Sequence, residues 1–221
     1  MQRHEEKYLI DYRQYAALRN RALKVLTPDI HGGSYTITSL YYDDLLDTAL
    51  LEKQDGLARH TKFRIRTYDG SGDTIHLERK VKQGILTEKQ AAPITRDQIS
   101  LLGVQTDGFD GPAKDLATQM LATGLRPAVT VQYRRDAFFF QGTDLRLTFD
   151  TDLRILPPTA ESLFDTNVSG IPVLDRNTVI MEIKYGTFLP SFIRNLTAVP
   201  ATQLSVSKYA LCREKLKGET L

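Results

Sequence analysis

The sequence predicts an α+β fold: an antiparallel β-barrel of about eight strands with flanking helices. Three observations predict it. Segments rich in β-branched and aromatic residues alternate polar and apolar positions with period two. Helical stretches are interspersed among them without the regular strand–helix alternation of a parallel sheet. The run "DGSG" at 69–72 supplies hairpin chemistry between two such segments.

Residues 3–10 read as the first strand, followed by a helix over 12–26, where Tyr15, Leu18, Ala22 and Val25 fall at helical spacing. "TPDIHGGS" breaks that helix. A strand over 35–44 and a short helix over 46–56, ending at Gly56, come next. Residues 60–68 and 73–82 pair as a hairpin. Two helical segments lie within 95–125, the second with Pro112 near its start and Gly124 at its end. Strand patterns return at 127–140, 143–150 and 177–185, and a last helix covers 203–216; the pattern over 151–176 is ambiguous, and "SLFD" within it reads as a short helix.

At 221 residues and a formal charge of +2, the chain has room for a substantial core and lacks the global basic signature of a nucleic-acid binder. Any strong positive field must come from local sorting of charge. One cysteine, Cys212, excludes an intramolecular disulfide and a cysteine-rich zinc site, consistent with a reduced compartment. The charged start "MQRHEEKYLI" does not read as a signal peptide, and no stretch approaches the roughly 20 apolar residues of a membrane span. A soluble, cytoplasmic chain forming a single domain over 1–221 is the expectation.

Charge is indeed sorted on the strands. Lys62, Arg64 and Arg66 alternate with Phe63, Ile65 and Thr67, so one face is cationic while Phe63 and Ile65 point the other way. The same period places His76, Glu78, Lys80 and Lys82 together, as it does Arg3, Glu5 and Lys7; Tyr133 and Arg135; Arg146, Thr148 and Asp150; Glu182 and Lys184. The combined set holds ten Lys or Arg side chains, with few neutral fillers. A merely wet sheet face would tolerate Thr, Ser and Gln freely. Like charges on one face repel, so the pattern needs solvent, acidic partners or an anionic guest. If the sheet closes, these ions point into a narrow lumen, and the guest is a polyanion.

Glu5, Glu78, Asp150 and Glu182 are hard oxygen donors of the kind that bridge Mg²⁺ or Mn²⁺ to substrate phosphates. The plainer reading is that each carboxylate pairs with a neighbouring Lys or Arg. His76 shares the face of Glu78, whereas His31 sits in a loop. Tyr41, Tyr42 and Tyr133 read as barrel packing, and "RNRALK" at 19–24 as a solvated helix face.

In order, "RHEEKYLI", "SLYYDD", Lys53, Gly56 and Arg59 leading into "KFRIRTY", then "HLERKVK", "YRRDAF", "LRLTFDTDLR", "MEIKYG" and "SKY" resemble the triphosphate tunnel metalloenzymes, and more narrowly the VTC-type polyphosphate polymerase domain. The related CYTH branch has Glu-x-Glu-x-Lys where this chain has Arg3, Glu5 and Lys7. The resemblance implies that Arg64, Arg66, Lys80, Arg135, Arg146 and Lys208 grip phosphates, with Lys7, Lys62, Lys82, Lys184 and Ser205 as further substrate contacts. Ser205 stands where the family pattern has the first lysine of Lys-x-x-Lys. Glu182 would be the principal metal ligand, joined by Glu5 and Glu78, with Mn²⁺ or Mg²⁺ as cofactor.

The implied activity is transfer of the γ-phosphoryl group of ATP onto inorganic polyphosphate. Two alternatives stay open: a metal-dependent tripolyphosphatase or nucleoside triphosphatase, and a non-catalytic polyphosphate or nucleotide sensor. Nucleic acid is not an expected partner. Family members often work beside membrane subunits that export or store product, so the resemblance implies a membrane-protein partner and a place peripheral to the membrane.

Overall fold

The computed structural model describes residues 4–218 except 31, 55–58, 85 and 168. The expectations for Arg3, His31 and Gly56 therefore lie outside the described residues, as do the side chains of Lys53 and Arg59. The described residues fall into two compact units, one of segments 1–36, 133–153 and 174–207, the other of 37–132, 154–173 and 208–221.

In the first unit, β1 (His4–Asp11) pairs antiparallel with β10 (Thr178–Tyr185), which pairs antiparallel with β8 (Arg146–Leu156). The two-residue strand β11 (Thr202–Gln203) extends the other edge of β1, and β2 (Thr27–Pro28) pairs with the end of β7 (Arg126–Phe139). Helix α1 (Tyr12–Val25) begins at Asp11, whose side chain accepts from the Gln14 backbone while the Gln14 side chain accepts from the Asp11 N–H. Leu18 and Ala22 of α1 and Ile193 of α5 (Ser191–Thr197) share a core with Leu147, Phe149, Val179, Met181 and Ile183. Val25, expected on that apolar stripe, is exposed.

The second unit is built on β3 (Tyr35–Asp43), β4 (Arg59–Tyr68), β5 (His76–Gln83) and β6 (Leu86–Pro93), consecutive antiparallel neighbours. The expected hairpin joins β4 to β5 around Gly70, at φ +67°, where an added Cβ would lie 2.8 Å from the Phe164 carbonyl oxygen. Strand β6 was not anticipated. Short helix α2 (Thr48–Gln54) follows β3, and α3 (Arg96–Leu101) and α4 (Gly111–Thr123) follow β6. Helix α4 carries Pro112 in its first turn and stops at Gly124, φ +70°. Ile99, Leu116 and Ala117 pack with Leu40, Phe63, Ile65 and Leu77. The ambiguous stretch after residue 150 continues β8 to Leu156, then gives a 3-10 turn at Glu161–Leu163 and β9 (Ile171–Pro172). Helix α6 (Lys208–Leu216) starts five residues later than the sequence predicts, because the stretch before it includes β11.

Among the described residues, eight strands of eight residues or more and three two-residue strands make the fold α+β and antiparallel, with flanking helices, as the sequence predicts.

Candidate functional site

Register turns the sequence alternation into rows of facing side chains. In the second unit, Tyr41, Arg64 and Glu78 stand opposite one another across β3, β4 and β5, as do Ser39, Arg66 and His76. One row along, Lys62, Lys80 and Lys89 face each other across β4, β5 and β6. Like charges directly opposite destabilise a sheet pair, so a row of three ammonium groups is arranged for counter-charge.

Glu78 supplies part of it. Its carboxylate, 6% exposed, accepts from Arg64 Nε at 2.7 Å and from Arg64 Nη2, and its other oxygen takes Lys89 Nζ at 3.0 Å. Burial alone would raise this carboxyl group, but the charges of Arg64, Arg66 and Lys89 outweigh it and pull the pKa down to about 2. Arg64 also donates to the Tyr41 hydroxyl at 2.9 Å, and buried Arg66 donates from Nε to Ser39 Oγ at 3.2 Å. Lys62 Nζ lies 4.8 Å from the centre of the Tyr209 ring. Lys80 and Lys82 are exposed.

In the first unit, Glu5 and Lys7 face Lys184 and Glu182 across β1 and β10, and Lys184 and Glu182 face Arg146 and Thr148 across β10 and β8. Lys184 Nζ is 2.7 Å from Glu182 Oε1 and 3.5 Å from Glu5 Oε2, so carboxylates from two strands converge on one ammonium. Lys7 also pairs with Glu5. Arg135 holds Asp150 in a two-pronged contact, Nε to Oδ1 at 2.6 Å and Nη2 to Oδ2 at 2.8 Å, with Asp150 only 2% exposed. Burial works against the Arg135 charge, but Asp150 overrides it and holds the guanidinium well above its ordinary pKa. Arg146 is half exposed and donates to Asp29 at 3.1 Å and to the Tyr35 hydroxyl at 3.3 Å. Ser205 is exposed.

Lys208 opens α6, where it opposes the burial that pushes the Cys212 thiol up. The next residue, Tyr209, donates to Asp43, and Arg213 pairs with Asp47. Asp43, 1% exposed, also accepts the backbone N–H groups of Asp44, Ala49 and Leu50, tying α6 and the start of α2 to the end of β3.

Sequence reasoning missed Lys89, Asp29 and Asp43. Lys89 was findable: a turn at Gly84 followed by a partner strand puts "TEKQ" opposite "RKVK". Asp29 and Asp43 act through contacts distant in sequence. Among the described residues no three His, Cys, Asp or Glu side chains gather as a metal cage. Mg²⁺ and Mn²⁺ need fewer, commonly one or two carboxylates plus substrate phosphates, and Glu5 with Glu182 fits that donor set.

Sheet faces lined by Arg and Lys held in place by carboxylates, on antiparallel strands with flanking helices, define a domain for binding phosphate chains. The fold is that of the triphosphate tunnel proteins. Residues 2–217 match the VTC domain, and the chain belongs to that family. Among solved structures it is similar to the PH1819 protein from Pyrococcus horikoshii OT3, with 13% identity, a TM-score of 0.55, and 98% of this chain and 99% of that one covered. It is also similar to a candidate adenylate cyclase from Bacillus halodurans, with 13% identity, a TM-score of 0.52, and 94% and 96% covered. A search of curated proteins gives no match. Among the described residues no helix is long and apolar enough to cross a membrane.

Proposed function

We propose that the chain is an ATP-dependent polyphosphate polymerase, residues 1–221 acting as one functional domain. The observation that carries this reading is the VTC match over 2–217, which includes every Arg and Lys assigned to phosphate. A terminal oxygen of the polyphosphate chain attacks the γ-phosphorus of ATP, the bond from that phosphorus to the bridging oxygen breaks, and ADP leaves with the electron pair. No side-chain nucleophile is needed; positioning and charge stabilisation supply the rate.

Arg64, Arg66 and Arg135 present planar forks to phosphate oxygens, while Lys7, Lys62, Lys80, Lys82, Lys184 and Lys208 act as point charges. Arg146 would exchange Asp29 for phosphate, and Ser205 would offer a hydroxyl. Glu182, with Glu5, would hold Mn²⁺ or Mg²⁺; when bound, the ion would neutralise charge developing on the transferred phosphoryl group. Divalent-metal dependence is general in this family, which supports that role. Glu78, committed to Arg64 and Lys89, is the least suited of the three carboxylates to a metal. In this reading the protein is cytoplasmic and meets a membrane only through a partner that exports or stores product.

The convergence of Glu5 and Glu182 on Lys184 favours one second reading, hydrolysis with water as acceptor, because a carboxylate pair can support metal-activated water. Incubating purified protein with ATP and Mn²⁺ and separating products by length decides between them. Long chains with ADP establish the polymerase; orthophosphate without chains establishes the hydrolase. Tight binding with no turnover would overturn both in favour of a sensor.

A further inference from the structure

We propose that Glu78 is a positioning residue for anion recognition: it divides its two carboxylate oxygens between Arg64 and Lys89, and so aims cations from two strands at one phosphate chain. This deepens the phosphate-chain reading above and rests on it.

The geometry is specific. Arg64 lies directly opposite Glu78, and its Nε and Nη2 both reach Oε2, the arrangement that fixes the plane of a guanidinium. The Tyr41 hydroxyl meets Nη1 from the other side. Lys89 faces Lys80, yet its ammonium is drawn two positions along β6 to Oε1 of Glu78; the residue facing Glu78 directly is Ala91, too small to obstruct it. Glu78 therefore relieves part of the repulsion in the Lys62, Lys80 and Lys89 row while holding Lys89 beside it. A buried carboxylate bonded on both oxygens is a rigid anchor, and anchored cations lose less freedom on capturing a phosphate than wandering ones. Lys89 thereby joins the phosphate-binding set as a residue contributed by β6.

Charge alone predicts the opposite effect on binding. Removing an anion from a cationic surface should tighten capture of another anion, whereas removing an anchor should weaken it. The sign of the change is the test. Binding of inorganic tripolyphosphate to the full chain is measured by calorimetry at pH 7 in EDTA, for the wild type and Glu78→Gln, with near-UV circular dichroism confirming the fold of each. The expected result is roughly tenfold weaker binding for Glu78→Gln despite its added positive charge. In an Arg64→Met, Lys89→Met background the effect should shrink to less than about twofold, because Glu78 acts through those two residues. Should Glu78→Gln not fold, Glu78→Asp keeps the charge one methylene further back, and a comparable loss is expected.

Binding by the folded Glu78 variant that is unchanged or tighter overturns the proposal. So does a loss seen only when Mn²⁺ is added, which would make Glu78 a metal ligand. A wild-type chain that does not bind tripolyphosphate at all overturns the phosphate-chain reading, and this inference with it.

Discussion

The ammonium of Lys184 stands 2.7 Å from Oε1 of Glu182, two residues back on the same face of β10. A carboxylate 5% exposed is thus neutralised by a lysine that is itself part of the proposed phosphate-binding face. In the proposed reaction the pair would exchange partners, with substrate taking the lysine and the divalent cation the carboxylate.

Glu182→Ala should therefore abolish turnover of ATP with Mn²⁺, by about 100-fold or more, while leaving tripolyphosphate binding in EDTA equal or tighter. Product chromatography and calorimetry on one preparation read the two quantities. Unchanged turnover would remove Glu182 from the metal site.

Asp150 is buried and its two oxygens are matched to one guanidinium, so the pair is sensitive to one-sided truncation. Arg135→Met strands the carboxylate and should cost about 3–5 kcal/mol in urea unfolding, whereas Arg135→Met with Asp150→Leu should recover much of that loss. Both variants should bind phosphate chains more weakly. A single variant as stable as the wild type would show that Asp150 finds another partner.

Glu78 gives a pH dependence of definite sign. Its carboxyl titrates at about 2 in the fold against an ordinary value of 4.5, so the unfolded chain binds the proton more readily. The group's stabilisation is fully present above about 4.5 and is lost as pH falls towards 2, roughly 3 kcal/mol in all. The stability gap between wild type and Glu78→Gln should be widest at neutral pH and narrow through that window. Urea midpoints at pH 7, 4 and 3 measure it, and a constant gap would contradict the assignment.

Tyr209 and Asp43 fasten α6 to the corner between β3 and α2. Tyr209→Phe removes one bond from a carboxylate that retains three backbone donors, and should cost about 1–2 kcal/mol. Asp43→Ala also takes the side-chain acceptor from Asp44 and Ala49, while the Leu50 N–H keeps the Asp47 carbonyl at 2.9 Å, and should cost about 2–4 kcal/mol. Hydrogen exchange at Ala49 should rise in Asp43→Ala and stay unchanged in Tyr209→Phe.

Period-two alternation in "KFRIRTY" and "HLERKVK" was enough to place Lys62, Arg64, Arg66, Lys80 and Lys82 on one face and Phe63, Ile65 and Leu77 on the other, with Arg79 the exception that shares the apolar face and pairs with Asp115, because a strand leaves no third direction for a side chain. The "DGSG" turn likewise announced the hairpin, and Pro112 and Gly124 bounded α4, since these signals are local. Strand β6 escaped notice because "LTEKQAAP" is largely exposed and carries little β-branched or aromatic content; hydrogen bonding to β5 holds it as a strand against a weak local preference. Helix α5, seven residues long, is likewise held by packing Ile193 into the core of its unit.

By itself the sequence determined which residue types line each strand face, and hence that an anion is the expected ligand. Only the tertiary structure decided which carboxylate serves which cation: Glu78 for Arg64 and Lys89, Asp150 for Arg135, Asp29 for Arg146, Glu182 and Glu5 for Lys184. Alternation sets a side chain's face but says nothing about the register of the neighbouring strand. The partners of these pairs stand 2 to 179 residues apart along the chain, and long-range pairing alone brings the distant ones within hydrogen-bond reach.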